Sequence, residues 1–207
     1  MRFARDNTEP VLYYTPSSYM TLPSHQSSEL RTRYEAGLAH IRQAPQDTGL
    51  VHMIVGRPEK GKREIVDVGK LDVTKGLVGD NWKIRGSSRT TDGLAHPHTQ
   101  LTIMNSRVIA LIAGDKDRWP LAGNQVYVDL DLHKDNVPPG TQLALGTAVI
   151  EVTDQPLTGC KKFSARFGVE AVKFVNSAIG KTLQLRGINT KVIRSGRFQT
   201  GGVIKKI

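Results

Sequence analysis

Apolar residues recur at helical spacing in only a few short stretches of this chain. Between residues 28 and 44 they return about every three or four positions, and Pro45 closes the segment, which predicts one amphipathic helix. The apolar positions of this helix are Leu30, Tyr34, Leu38 and Ile41. Asn105 can cap a second helix that ends at Gly114, and two short helices separated by Gly168 are expected near the end of the chain.

Most other apolar residues alternate with polar ones or form short β-branched runs, as they do in strands. The predicted strands are 50–55, 64–68, 71–73, 100–103, 125–130, 141–145, 147–153, 188–193 and 203–207. Residues 76–97 are rich in Gly, Ser, Thr, Arg and His and predict a long loop, which often borders a site. Because short helices interrupt the strands without βαβ regularity, we expect an α+β fold built on a β-barrel.

The length of 207 residues suits one domain, and no linker divides the chain into comparable halves. We expect residues 1–47 to form an N-terminal extension that carries the amphipathic helix, and residues 48–207 to form the domain. The first 25 residues or so mix Pro, Ser, Thr and Tyr without periodicity, which predicts an extended arm.

The formal charge of +10 predicts an anionic partner, which could be nucleic acid, a membrane surface or a phosphorylated small molecule. The basic residues are scattered along the chain, and a solvated basic surface accounts for most of them. They include Arg57, Lys60, Lys62, Arg63, Lys83, Arg85, Arg89, Lys161, Lys162, Arg166, Lys205 and Lys206.

The chain contains one cysteine, Cys160, so an intramolecular disulfide is excluded and any metal site within one chain would have one thiolate ligand. No apolar stretch is long enough for a signal peptide or a membrane span. We therefore expect a soluble protein in the reducing cytoplasm, with no membrane partner.

Cys160 lies in a basic segment that favours reactive chemistry over a buried apolar role. Thr158 stands at an expected N-cap, which places Cys160 in the first helical turn, where amide hydrogens and the helix dipole stabilise a thiolate. Lys161, Lys162 and Arg166 add positive charge. Such a thiolate attacks an electrophile, carries sulfur or binds a soft metal, and the local sequence leaves these three options open.

Other common site types have weaker support in the sequence. Residues 96–98, His-Pro-His, are the nearest approach to a zinc ligand pair, and loop histidines more often face water. No phosphate-binding glycine loop occurs. A basic barrel could bind single-stranded RNA, but aromatic residues make up only 6% of the chain and this binding mode stacks bases on aromatics, so nucleic acid is a less favoured partner.

Five short motifs, in order along the chain, resemble those of MOSC domains, the family named for the C-terminal part of molybdenum cofactor sulfurase. They are residues 76–80 (Gly-Leu-Val-Gly-Asp), 138–141 (Pro-Pro-Gly-Thr), 149–153 (Val-Ile-Glu-Val-Thr), 156–160 (Pro-Leu-Thr-Gly-Cys) and 187–192 (Gly-Ile-Asn-Thr-Lys-Val). The resemblance covers residues 48–207, and it depends on the joint order of the motifs.

This resemblance implies a β-barrel-like MOSC fold and a molybdenum cofactor, a pterin dithiolene that holds the metal. By the same match, Cys160 is the metal ligand and Thr158 orients the cysteine turn and contacts the cofactor. Lys161, Lys162 and Arg166 are expected to bind the cofactor phosphate, because they are positive and lie close in sequence.

The chain departs from its relatives at two places in the expected site. Several relatives have His-Gly-Gly-Pro-Asp where this chain has residues 96–100, His-Pro-His-Thr-Gln, and Gly-Glu-Asn-Leu where it has residues 123–126, Gly-Asn-Gln-Val. The resemblance does not extend to the pyridoxal-phosphate domain of the sulfurase, so we expect a pyridoxal-phosphate-dependent desulfurase, the sulfurtransferase, to be a separate partner.

The function that the resemblance implies is the reduction of N-hydroxylated compounds at a cysteine-ligated molybdenum. His98 is the predicted proton donor, with Asp80 as a second candidate that is more often structural in a Gly-Asp turn. Electrons would come from an external reductase, since no flavin or iron–sulfur motif is present. The alternatives are a sulfur or cofactor carrier that uses Cys160 and a non-enzymatic RNA-binding barrel.

Overall fold

The computed structural model describes residues 24–87 and 90–207. The predicted N-terminal arm, up to residue 23, and Arg89 lie outside these residues. The helices are α1 (Ser24–Arg42), α2 (Trp82–Arg85), α3 (Ser106–Ala113), α4 (Lys161–Phe167), α5 (Val169–Asn176) and α6 (Ala178–Thr182), with 3₁₀ turns at Pro97–Thr99 and Lys116–Ala122.

The strands occupy most of the segments in which the sequence predicts them. They are β1 (Thr48–Gly56), β2 (Glu64–Val66), β3 (Val68–Asp72), β4 (Gly76–Leu77), β5 (Leu101–Asn105), β6 (Val126–Asp129), β7 (Gln142–Leu145), β8 (Ala148–Val152), β9 (Ile188–Arg194), β10 (Gly196–Gln199) and β11 (Val203–Lys206). The strand β10 was not expected, and it pairs with β3 in a small second sheet that also contains β4.

Seven strands close into a barrel, which confirms the predicted α+β class. Neighbouring strands follow the order β11, β7, β8, β9, β5, β6, β1, and β1 pairs back to β11 with Thr48 opposite Lys205. Among the described strands, β5 and β6 form the one parallel pair. A parallel pair needs a long crossover, and residues 106–125 supply it with α3 and the second 3₁₀ turn.

The strand β6 shows why both faces of the barrel wall are apolar. Val126 and Val128 point into the barrel core, whereas Tyr127 between them points outward into a second core under the helices. All three are fully buried, and each such side chain contributes about 1.5–3 kcal/mol relative to an exposed one. The helices therefore form a layer outside the barrel, packed on its wall.

Helix α1 belongs to this outer layer. Tyr34 stacks on Phe174 of α5 with ring centroids 4.9 Å apart, and Ile41 is buried in the same cluster. Arg31 also donates to the buried carboxylate of Glu170 on α5, with Nε 2.7 Å from Oε2, and Lys173 approaches the other oxygen at 2.9 Å. These contacts hold α1 against the domain. The helix begins at Ser24, earlier than the predicted residue 28.

Several turn predictions are confirmed in detail. The side chain of Asn105 accepts a hydrogen bond from the Arg107 amide at 2.8 Å, which caps α3, and Gly114 ends that helix at a φ of 72°. Gly146 turns β7 into β8 at a φ of 58°. Both glycines lie in the left-handed region, where a side chain is strained.

The predicted loop at residues 76–97 is more ordered than expected, because Asp80 holds its first half against the barrel. The Asp80 carboxylate accepts hydrogen bonds from Arg57 Nε at 2.7 Å, Arg57 Nη2 at 3.0 Å and the Trp82 amide at 2.8 Å. The carboxylate side chain is fully buried and that of Arg57 is 8% exposed. This pair joins the end of β1 to α2, and it gives Asp80 the structural role that its Gly-Asp turn suggested.

Within the described residues, no helix combines the length and the apolar character that crossing a bilayer requires.

We predict that Asp80→Asn lowers the free energy of unfolding by about 3–5 kcal/mol, because it leaves the buried Arg57 cation without its counter-charge. Urea denaturation of the two proteins measures the difference. Asp67→Asn is the matched control, since Asp67 is exposed and the charge change is the same. Equal losses in the two variants would contradict the structural role of the pair.

We also predict a pH-dependent contribution from Glu170. The hydrogen bond from Arg31, together with Lys173, holds the pKa of this carboxyl below its ordinary value of 4.5. A lowered pKa in the folded state stabilises the protein above the ordinary value, and this stabilisation is lost as the pH falls through the folded-state pKa. Glu170→Gln should therefore lower Tm at neutral pH and lose this effect in acid.

Thermal unfolding across this pH range tests the expectation. Glu29→Gln on the exposed side of α1 is the control and should leave Tm unchanged at either pH. A Tm deficit of Glu170→Gln that persists unchanged into acid would rule out the charge-based explanation.

Candidate functional site

A cavity of about 300 Å³ lies beside Cys160 at the edge of the barrel, and we call it the inner cavity. Its wall contains six basic side chains, and Leu157 and Phe163 add apolar patches. The basic side chains of the wall are Arg57, Arg63, Arg85, Lys162, Arg166 and Arg186. They come from five separate places in the fold, since Lys162 and Arg166 lie one turn apart on α4.

Four successive backbone carbonyls, which we call the carbonyl row, hold four of these arginines. The bonds are Arg63 Nε to Pro120 O at 3.3 Å, Arg166 Nη1 to Leu121 O at 2.6 Å, Arg186 Nη2 to Ala122 O at 2.8 Å and Arg57 Nη1 to Gly123 O at 2.9 Å. The row lies at the C-terminal end of the 3₁₀ turn Lys116–Ala122, where carbonyls carry partial negative charge, and the Pro120 carbonyl also accepts the Gly123 amide at 3.1 Å. It therefore gathers guanidinium groups that would otherwise repel one another.

Burial and mutual repulsion disfavour the charged form of the arginines in this wall. Burial, reinforced by repulsion from Arg166 and Arg57, lowers the pKa of Arg63 to about 10. Burial and the charge of Arg57 also lower the pKa of Arg85. These groups stay protonated at neutral pH, so the wall is positive and suited to an anion.

Arg186 is the most enclosed cation of the inner cavity, with 8% of its surface exposed. Burial lowers its pKa to about 10, although the charges of Tyr127 and Cys160 act in the opposite direction. Its Nη1 donates to the amide oxygen of Asn124, and its guanidinium lies 4.8 Å from the centre of the Phe163 ring. Its Nε has no hydrogen-bond partner in the described part of the chain.

A second cavity of about 550 Å³ adjoins the first, and we call it the outer cavity. It shares five lining residues with the inner cavity, namely Arg57, Arg63, Arg85, Lys162 and Arg166. Lys60 and Asn81 line only the outer cavity, and Glu59 there forms an ion pair with Lys62 at 3.0 Å. The two cavities together form one basic cleft.

Cys160 is exposed at the N-cap position of α4, so the prediction of Thr158 as the cap is wrong. The cause lies in Gly159, whose amide donates to the Asn176 side-chain oxygen at 2.8 Å and whose carbonyl accepts from the Asn176 nitrogen at 3.0 Å. These two bonds to Asn176 on α5 fix the residue before Cys160, and Cys160 itself is extended, so α4 begins only after it. The thiol follows at once and lines the inner cavity.

The structure brings only some of the predicted site residues to the cleft. Cys160, Lys162 and Arg166 line the inner cavity. Thr158 and Lys161 are exposed, and neither is among the residues that line the two cavities.

His98 also lies outside the cavity walls, although its neighbour Thr99 lines the inner cavity. Its Nδ1 is 3.7 Å from Asp154 Oδ1 and its side chain is 46% exposed. A hydrogen bond from Gln155 and the interaction with His98 lower the pKa of Asp154. The role of His98 as a proton donor stays a prediction.

Sequence reasoning missed the part of the site that Arg57, Arg63, Arg85 and Arg186 form. The expected solvated basic surface does not describe Arg57, which is buried, and several of the scattered basic residues meet in one cleft. The residues that gather them, 120–123, include no charged side chain. The pairing of Arg57 with Asp80 would have pointed to the cleft, but the two residues are far apart in the sequence and meet only in the folded chain.

Metal ligands are sparse in the described part of the chain. Residues 24–87 and 90–207 contain no group of three or more His, Cys, Asp or Glu placed to hold a metal ion.

Comparisons with known proteins find likeness in structure but not in sequence. No family model matches the chain, and no curated protein matches it. The YuaD protein from Bacillus subtilis has a similar structure, with 16% identity over 76% of this chain and 94% of its own, at a TM-score of 0.56. A solved structure described as a hypothetical protein matches with 20% identity over 81% of this chain and 70% of its own, at a TM-score of 0.54. At this level of identity the comparisons show that the chain shares the fold of YuaD.

Proposed function

We propose that the basic cleft binds a molybdenum cofactor through Cys160 and that the chain reduces N-hydroxylated compounds. The observation that carries the proposal is the position of the thiol, which lies in the same cavity as the buried Arg186. A thiolate suits a soft, redox-active metal, and the surrounding cations suit the phosphate of a pterin cofactor.

The residues present fit such a group. The unpartnered Nε of Arg186 is a buried donor that an anionic ligand would satisfy. Since the described residues offer no cluster of several metal ligands, a metal held by Cys160 would take its remaining ligands from a cofactor, as a dithiolene provides. Leu157, which is partly exposed in the cavity wall, offers apolar contact for a flat ring system.

The chain's own residues have distinct tasks in this proposal. Cys160 holds the metal, and Lys162, Arg63 and Arg166 bind the phosphate. Lys161 and Thr158, which are exposed beside Cys160, are proposed to contact the cofactor at the mouth of the cavity. When bound, the cofactor supplies a centre that accepts oxygen and exchanges two electrons.

The reaction needs co-substrates from outside the chain. Cleavage of the N–O bond consumes two electrons and two protons, and it yields the reduced nitrogen compound and water. An external reductase delivers the electrons, and His98, next to Thr99 of the cavity wall, is the proposed route for protons from solvent.

A second candidate is a carrier that holds sulfur or the cofactor on Cys160 for another enzyme, with a pyridoxal-phosphate-dependent desulfurase as the sulfur source. The exposure of the thiol favours it, because a carrier must present its cargo to an acceptor. Both candidates use the same cysteine, and turnover separates them.

We predict the metal content of protein that is purified from a host that makes the cofactor. The parent chain should contain molybdenum near one atom per chain, and Cys160→Ala should lose it by about tenfold or more because the thiolate ligand is gone. Elemental mass spectrometry measures the content. Thr32→Ala, an exposed change on α1, is the control and should retain the metal.

Equal and negligible molybdenum in the parent and in Cys160→Ala, beside a loaded control molybdoenzyme, would reject the cofactor proposal.

We also predict turnover of an N-hydroxylated substrate. The metal-loaded parent, supplied with a small-molecule reductant, should convert an N-hydroxylated amidine to the amidine. The turnover rate of Cys160→Ala should fall to the background rate. Chromatography of the product measures the rate. Bound molybdenum without turnover, together with transfer of sulfur or cofactor to an acceptor enzyme, would favour the carrier.

A further inference from the structure

The basic cleft holds more positive charge than its own residues neutralise. Arg57 pairs with Asp80, but no described carboxylate lies within ion-pair distance of the other basic side chains that line the cleft. These are Lys60, Arg63, Arg85, Lys162, Arg166 and Arg186. A cluster of this kind stays unfavourable until an anion occupies it.

The positive charge extends across both cavities. Arg186 lines only the inner cavity, near Cys160, and Lys60 lines only the outer cavity. A single phosphoryl group presents its oxygens around one phosphorus atom. It can therefore bind the cations of the inner cavity or those of the outer cavity, but not both sets together. Cations at both ends suit a ligand with anionic groups at two positions.

One lining residue of each cavity carries a buried polar atom that has no hydrogen-bond partner among the described residues. These atoms are the Nε of Arg186, which lines the inner cavity, and the side-chain oxygen of Asn81, which lines the outer cavity. Such atoms are costly, and they are usually satisfied by a ligand or by water. The oxygen of Asn81 accepts hydrogen bonds, so it suits a hydroxyl or an N–H beside a phosphoryl group.

The outer cavity lies next to elements that hold it rigidly. Asn81 donates its backbone amide to the Arg57 carbonyl at 2.9 Å, and the buried ion pair of Arg57 with Asp80 fixes the same corner. The binding groups of the outer cavity are therefore attached to the barrel, in the way that a preorganised anion site requires.

We propose that the outer cavity is a subsite for a second phosphoryl group, so that the ligand of the basic cleft is a diphosphate ester with a hydroxyl-bearing part at Asn81. The part of this inference in which the same ligand also reaches Cys160 through the inner cavity rests on the proposed function. A cofactor with a nucleotide joined through a diphosphate and a free nucleoside diphosphate share this chemistry.

Isothermal titration of the full chain without cofactor tests the subsite. At fixed ionic strength, inorganic pyrophosphate should bind about tenfold more tightly than orthophosphate, because it gains the charge-assisted bonds of the second cavity. Lys60→Gln should remove most of this advantage. Lys181→Gln on α6 changes the net charge equally, lies outside both cavities, and should keep it.

Two results would overturn the subsite. One is equal affinity for pyrophosphate and orthophosphate. The other is a pyrophosphate affinity that Lys60→Gln and Lys181→Gln change to the same extent. Salt-sensitive binding of a single-stranded RNA in place of a pyrophosphate preference would also reject it, in favour of a nucleic-acid surface.

Acid treatment of the metal-loaded protein distinguishes the sources of the diphosphate. Release of a nucleoside monophosphate in proportion to molybdenum identifies a dinucleotide cofactor, whereas tight binding of a nucleoside diphosphate by metal-free protein identifies a free nucleotide. Molybdenum retained by Cys160 without any nucleotide or pyrophosphate preference would sink this inference and leave the proposed function standing. A pyrophosphate preference in a protein that never retains molybdenum would do the reverse.

Discussion

The candidate site depends on one row of backbone carbonyls. Residues 120–123 follow one another at the end of a 3₁₀ turn, and each accepts a hydrogen bond from a different arginine. Guanidinium groups so close together repel, and the peptide dipoles offset part of that repulsion without adding a formal negative charge. The row thus organises positive charge and leaves it available to a ligand.

Arg57 connects this site to the stability of the fold. One side of its guanidinium binds the buried Asp80, which ties α2 to the end of β1, and the other side binds the Gly123 carbonyl. The same side chain lines both cavities. The motif at residues 76–80 therefore shapes the cleft through a neutralised pair, while no described carboxylate forms an ion pair with the other arginines of the cleft.

The sequence was sufficient for the elements whose determinants are local. Asn105 caps α3 and Gly146 turns a hairpin because each acts within a few residues, and apolar patterning on β6 locates a barrel strand. The cleft was out of reach because Arg63, Arg166 and Arg186 meet only through backbone carbonyls, which no residue type encodes. Thr158 was misassigned as a cap because Asn176, on another helix, binds both backbone groups of Gly159, and Cys160 after it is still extended. Cys160 could be singled out since it is the only cysteine and lies in a motif.

The closure of the barrel has a kinetic consequence. The strand β1 completes the ring only when it meets β11, its partner from the far end of the described chain, so the fold contains a contact of very large sequence separation. Such topologies fold slowly, on the order of milliseconds to seconds, because the loop must close before the contact is formed. The cleft combines residues from β1 to the approach of β9, and an anion finds its full set of partners only after closure. Ligand binding should therefore act on this protein as a brake on unfolding, with little effect on the rate at which the ring first forms.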